Sequence, residues 1–117
     1  MFCGATKFTS DLKDWHVDNG GIFKSMFNSC LYFNSDLSQW HVGNCNNFSY
    51  MFYKCKSFNS DLSSWNVSEG TNFEHMFEDC VLFNADISGW NITNAATDFS
   101  GMFKNCKSIT CDLSGFK

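Results

Sequence analysis

The chain is 117 residues long, with 8 Lys, no Arg and 12 acidic residues, for a net charge of −4. That length holds one domain with one core, and the acidic balance without guanidinium groups argues against a nucleic-acid or phosphate-binding protein. A hydrophobic content of 44% excludes a disordered chain, and no apolar run approaches the ~20 residues that span a bilayer.

Taken in chain order, Met1-Phe2 recurs as Met26-Phe27, Met51-Phe52, Met76-Phe77 and Met102-Phe103. The period is 25 residues, with one extra residue between Trp90 and Phe99. The shared pattern is M-F-x-x-C-x-x-F-N-x-D-L-S-x-W-x-V. All 14 Phe fall into columns of the repeat, counting the column three residues before each Met and Phe116 at the Trp position of the last copy. The odd composition is therefore that of one unit, multiplied. A unit this short cannot bury its own apolar face, so neighbours must stack over a shared core. Within a unit, Phe48, Met51, Phe52 and Cys55 stand at i, i+3, i+4 and i+7, which predicts a helix of two to three turns. Thr71 and Glu74 form a capping-box pattern where the next such helix begins. Asn59-Ser60-Asp61 predicts a turn, and the alternation of Trp65 and Val67 within 62–67 a short strand. Gly20, Cys45, Gly70 and Ala95 form a column of small residues suited to a tight turn. The expected fold is a leucine-rich-repeat-like solenoid spanning 1–117, a single domain of about five 25-residue coils. Each coil would carry one short helix and one short parallel strand.

These residues carry a resemblance. The pattern is similar to the BspA-like leucine-rich-repeat surface proteins, in the form first known from mycoplasma-type lipoproteins, and the match runs through the whole chain. It implies a right-handed solenoid on secreted or surface-anchored proteins, with roles in adhesion and protein binding and with no catalytic residues to carry over. The chain departs from the pattern at Ala5, Thr9, Thr110 and Phe116. Neither end carries the polar cap that repeat arrays usually have, which suggests a segment of a longer chain, or open ends covered by neighbouring subunits or further repeats.

Each column admits a core reading and a chemical one. Cys30, Cys55, Cys80 and Cys106 fit a stack of small buried hydrophobes, the alternative being disulfides between coils; Cys3, Cys45 and Cys111 lie outside that column. Asp36, Asp61 and Asp86, with Asp11 and Asp112, fit turns in which each carboxylate accepts a nearby backbone N–H, the alternative being a Ca²⁺ ladder. Trp15, Trp40, Trp65 and Trp90 fit the core, the alternative being exposed rings that stack on sugars. His16 and His41 share a column and His75 stands apart; exposed polar positions suit them better than a metal site. Asn47, Asn66 and Asn91 match the glycosylation acceptor pattern, two of them being dictated by the repeat. Recurrence argues against catalysis, since an active site is a unique constellation, and no cofactor is expected.

Function should lie where the repeat varies. Leu31-Tyr32 and Val81-Leu82 replace polar pairs such as Lys56-Ser57 and Lys107-Ser108, and Tyr50 and Tyr53 stand off the Phe columns. These six are the candidate protein-contact residues, by the usual anchoring role of exposed aromatics; local packing is the competing role. The expectation is a non-catalytic repeat module that binds or scaffolds proteins, at a cell surface or in a larger complex. The alternative is an adhesion module using the Asp or Trp columns.

Overall fold

A computed structural model of the chain describes residues 23–93, 96, 98–111, 113, 114 and 116. The stretch 23–33 sets the pattern. The N–H groups of Met26, Asn28, Cys30 and Phe33 donate to the carbonyls of Phe23, Ser25, Phe27 and Cys30, each three residues back, at 3.0–3.2 Å. These are consecutive β-turns. The intervening N–H groups of Phe23, Ser25, Phe27 and Ser29 donate to the carbonyls of Asn47, Ser49, Met51 and Tyr53 in the next unit, at 2.7–3.1 Å. The register then repeats. Phe48, Tyr50, Phe52 and Lys54 donate to Asn72, Glu74, Met76 and Glu78, and Phe73, His75, Phe77 and Asp79 to Asp98, Ser100, Met102 and Lys104.

The expected solenoid of one helix and one strand per coil does not form. Among the described residues there is no helix, and the only pairing of strand type is at the isolated parallel bridges Asn47↔Asn72 and Asn72↔Asp98. The reason lies in the backbone. Ser25, Ser29, Tyr50, Lys54, His75, Asp79, Gly101 and Asn105 all have φ between 53° and 64°. A left-handed residue every fourth position turns alternate N–H groups outward to the next unit, instead of four residues back along a helix axis. Phe48, Met51, Phe52 and Cys55 still bury on one side, so the spacing was that of a buried face without being that of a helix. The capping box is also replaced: Asn72 Oδ1 accepts the Glu74 N–H at 2.9 Å, and the Thr71 hydroxyl donates to the Asn46 carbonyl at 3.0 Å.

The expected strand at 62–67 is a turn as well, with the Trp65 N–H on the Leu62 carbonyl at 3.0 Å. Asp61 Oδ1 captures the Ser63 N–H at 2.9 Å, a donor that a strand would need for its neighbour. The small-residue column does form tight turns, from Cys45 to Val42 and from Gly70 to Val67, both at 2.9 Å. Gly20 and Ala95 lie outside the described residues. Around the Asn59-Ser60-Asp61 turn, Asn34, Asn59 and Asn84 build a ladder. Each side-chain oxygen accepts the N–H of its counterpart one unit on, at Asn59, Asn84 and Thr110, at 2.7–2.8 Å.

The core holds Met26, Met51, Met76 and Met102 and is filled by the Phe columns. Phe27, Phe52, Phe77 and Phe103 stack at centroid steps of 5.7, 5.6 and 5.9 Å with nearly parallel planes. Phe33, Phe58 and Phe83 repeat this at 5.8 and 5.9 Å, and Phe48, Phe73 and Phe99 at 5.3 and 5.6 Å. Such offset stacks add to the large area each ring removes from water. Among the described residues no buried side-chain nitrogen or oxygen lacks a hydrogen-bond partner. The product is a compact globule of about 36 × 32 × 20 Å, made of stacked, turn-built repeats.

Candidate functional site

Two of the repeat columns are left-handed, and their side chains differ from unit to unit. The first column is Ser25, Tyr50, His75 and Gly101. Tyr50 stacks on the His75 imidazole at 4.9 Å and meets Tyr53 edge-on at 5.4 Å. His75 Nδ1 is hydrogen-bonded to Glu78 Oε2, and its Nε2 lies 3.6 Å from Glu74 Oε1. Lys104 Nζ stands 3.8 Å from the other Glu78 oxygen. Gly101, at φ 64°, makes room for this pair, since a Cβ there would run into the imidazole.

The second column is Ser29, Lys54, Asp79 and Asn105. Two residues further along each unit stand Leu31, Lys56, Val81 and Lys107. These two columns form the walls of a groove of about 690 Å³ that crosses four units. Asn105 Nδ2 donates to Asp79 Oδ1 at 2.8 Å, bridging two units along one wall. Lys54 carries its ammonium 5.3 Å from the centre of the Tyr53 ring, within cation–π range. Three cationic side chains therefore gather on a chain whose net charge is −4.

Of the candidate contact residues, Leu31 and Val81 line the groove and are half-buried. Tyr32 and Leu82 are exposed at 58% and 55%, which sets them apart from every other large apolar side chain described. Tyr50 and Tyr53 are half-buried against each other and His75, so the structure brings them together with one another but into a separate cluster from Tyr32 and Leu82.

The columns weighed as chemistry have internal partners. Asp36, Asp61 and Asp86 accept the N–H of Ser38, Ser63 and Ser88 at 2.9–3.0 Å. Bonds from the Ser63 N–H and hydroxyl hold the Asp61 carboxyl below its ordinary range; the Ser88 hydroxyl, then its N–H, does the same for Asp86. Among the described residues no three or more His, Cys, Asp or Glu side chains converge on a common point. Trp40, Trp65 and Trp90 are buried, and the Trp65 and Trp90 indole N–H groups donate to the Leu37 and Leu62 carbonyls at 2.9 Å. Cys30, Cys45, Cys55 and Cys80 are buried free thiols, Cys106 and Cys111 half-buried ones. Burial drives the Cys55 and Cys80 thiols far above their ordinary range and lifts Cys45 and Cys106 to about 11. His41 is exposed, and His16 lies outside the described residues. The acceptor-pattern residues Asn47 and Asn66 bond the N–H two residues on, at 3.0 and 3.1 Å.

Sequence reasoning missed the lysine-bearing groove and the His75–Glu78 pair. The signal for the groove was in the aligned repeat: the column Leu31, Lys56, Val81, Lys107 alternates apolar and cationic residues.

Across the whole chain, residues 1–81 and 46–117 match the profile of a family described as Mycoplasma protein of unknown function, DUF285. No curated protein and no solved structure matches the chain.

Proposed function

Since the chain belongs to the DUF285 family of Mycoplasma proteins of unknown function, we propose that it is a non-catalytic repeat module that binds other proteins, at a cell surface or as a subunit of a larger complex. The observation that carries this reading is the exposure of Tyr32 and Leu82 at 58% and 55%. Both occupy the column where the units between and after them have Ser57 and Ser108. A soluble surface gains nothing from a large apolar side chain at a position where serine serves the fold, and paired exposed anchors of this kind suit a protein contact. The buried Trp rings and the turn-closing Asp carboxylates are engaged by the fold itself, so neither column supports the adhesion alternative. No helix among the described residues is long and apolar enough to cross a membrane.

A photo-crosslinking residue placed at position 32, at 82 and at the exposed control Glu69 tests the proposal in a native extract. A discrete protein adduct at 32 and 82, absent at 69 and lost from the other site in Y32S or L82S, is expected. Equal labelling at all three positions, or none at 32 and 82, would overturn it.

A further inference from the structure

The protein-binding reading above leaves the chemistry of the partner open, and the groove supplies it. We propose that the groove between the column Ser29, Lys54, Asp79, Asn105 and the column Leu31, Lys56, Val81, Lys107 binds an extended peptide segment that alternates apolar and acidic side chains.

Charge complementarity is the first argument. Of the described lysines, Lys54, Lys56 and Lys107 line this one groove, and all three are exposed. The groove's three lysines outnumber its one carboxylate, Asp79, while the chain as a whole carries a net charge of −4, so the remaining residues are on balance acidic. A local cationic channel on an anionic body attracts carboxylates while the remaining surface repels them, which fixes register as well as rate. The spacing is the second argument. Lys56 and Lys107 stand two units apart, and the corresponding Phe52, Phe77 and Phe103 rings step by 5.6 and 5.9 Å. An extended peptide advances ~3.3 Å per residue, so carboxylates at i and i+4 are ~13 Å apart. The flexible lysine stems absorb the small difference. Leu31 and Val81, interleaved with the lysines, are placed to receive the apolar side chains at i−2 and i+2 on the same peptide face.

Two features separate a peptide from a sulfated or phosphorylated polyanion. Asp79 sits within the wall, and its charge opposes a uniformly anionic ligand. The opposite wall alternates its lysines with apolar Leu31 and Val81, which a polyanion would leave unmatched. Ser29 and Asn105 add short polar side chains to the same wall, suited to backbone amides.

The probe is a fluorescein-labelled synthetic peptide with the repeat leucine-serine-glutamate-serine, followed by anisotropy on the intact chain at low salt. Binding is expected, weakening as salt is raised. It should fall roughly tenfold or more in K56E/K107E, and equally when the peptide glutamates are replaced by glutamine. The double variant is checked by its urea midpoint; if it unfolds, K56Q/K107Q serves, with a smaller loss expected in the same direction. Binding that ignores either set of charges would overturn the proposal. So would tighter binding of a heparin oligosaccharide than of the peptide, which would assign the groove to polyanions. Absence of peptide binding while the adducts at positions 32 and 82 persist would refute the groove and leave the protein-binding reading standing. Loss of those adducts with peptide binding intact would do the reverse.

Discussion

The indole N–H of Trp90 donates to the carbonyl oxygen of Leu62 at 2.9 Å, 28 positions back along the chain. Trp65 makes the same bond to Leu37, so the contact belongs to the unit and not to one accident of packing. The Trp rings themselves stack at 6.4 Å, nearly parallel. The indole thus serves two ends: its ring fills the shared core, and its nitrogen adds a second hydrogen bond to a carbonyl that already accepts the N–H closing the Leu-to-Trp turn of the preceding unit.

Trp65→Phe should therefore destabilise the chain by about 1–3 kcal/mol, from the loss of one of two hydrogen bonds to the Leu37 carbonyl, which keeps the Trp40 N–H, and from a small unfilled volume. The urea unfolding midpoint should fall while the overall fold persists. A midpoint equal to that of the parent chain would show that the bond contributes nothing net.

Gly101→Ala should destabilise as well, for a different reason. Its φ of 64° disfavours any side chain by about 1–2 kcal/mol, and the added Cβ would meet the His75 ring that is bonded to Glu78. Gly89 is the control, because a Cβ there meets nothing within 4 Å. Thermal unfolding of G101A should come several degrees below that of G89A, and the His75 ring protons should shift in NMR spectra of G101A alone. Matching melting temperatures would refute the close approach.

The repeat, its period and the identity of the core were legible because they depend only on which residues recur. Phe27, Phe52 and Phe77 had to be buried together whatever the backbone did. The backbone itself was not legible. A helix and a chain of β-turns both place residues 48, 51, 52 and 55 on one side, and the difference lies in the left-handed residues at Tyr50 and Lys54. No propensity argument selects tyrosine, lysine or serine for such a conformation. The members with a left-handed preference, His75, Asp79, Gly101 and Asn105, all stand in the last two units, and Ser25, Ser29, Tyr50 and Lys54 do not declare the pattern. The exposed pair Tyr32 and Leu82 was legible because its column varies between units. The groove escaped because its walls are set by that same backbone.

Alkylation separates the thiols. Cys55 and Cys80 are fully buried, their Sγ atoms lie 2.9 Å from the Phe27 and Phe52 carbonyls, and their thiols resist ionisation. Because the thiolate is the nucleophile, iodoacetamide at pH 8 should modify these two at least roughly a hundredfold more slowly in the folded chain than in urea. Peptide mapping by mass spectrometry gives the site-by-site rates. Comparable rates in both states would mean that the column opens readily.

Acid stability follows from the Asp turns. The carboxyls of Asp61, Asp86 and Asp98 are each held below the ordinary 3.8 by bonds from the serine two residues on. A carboxyl with a lowered folded pKa binds fewer protons folded than unfolded at the same pH. Its stabilising contribution is complete above the unfolded value and is lost as pH falls through the folded one. The urea midpoint should therefore be level from neutral pH down to about 5 and decline below about 4. Asn47 and Asn72 show that asparagine closes the same kind of turn, accepting the N–H two residues on at 3.0 and 2.9 Å. The triple variant D61N/D86N/D98N should keep the turns and lose the charge, so its midpoint should vary less with pH over that range. A decline as steep as the parent's would place the acid sensitivity in other carboxylates.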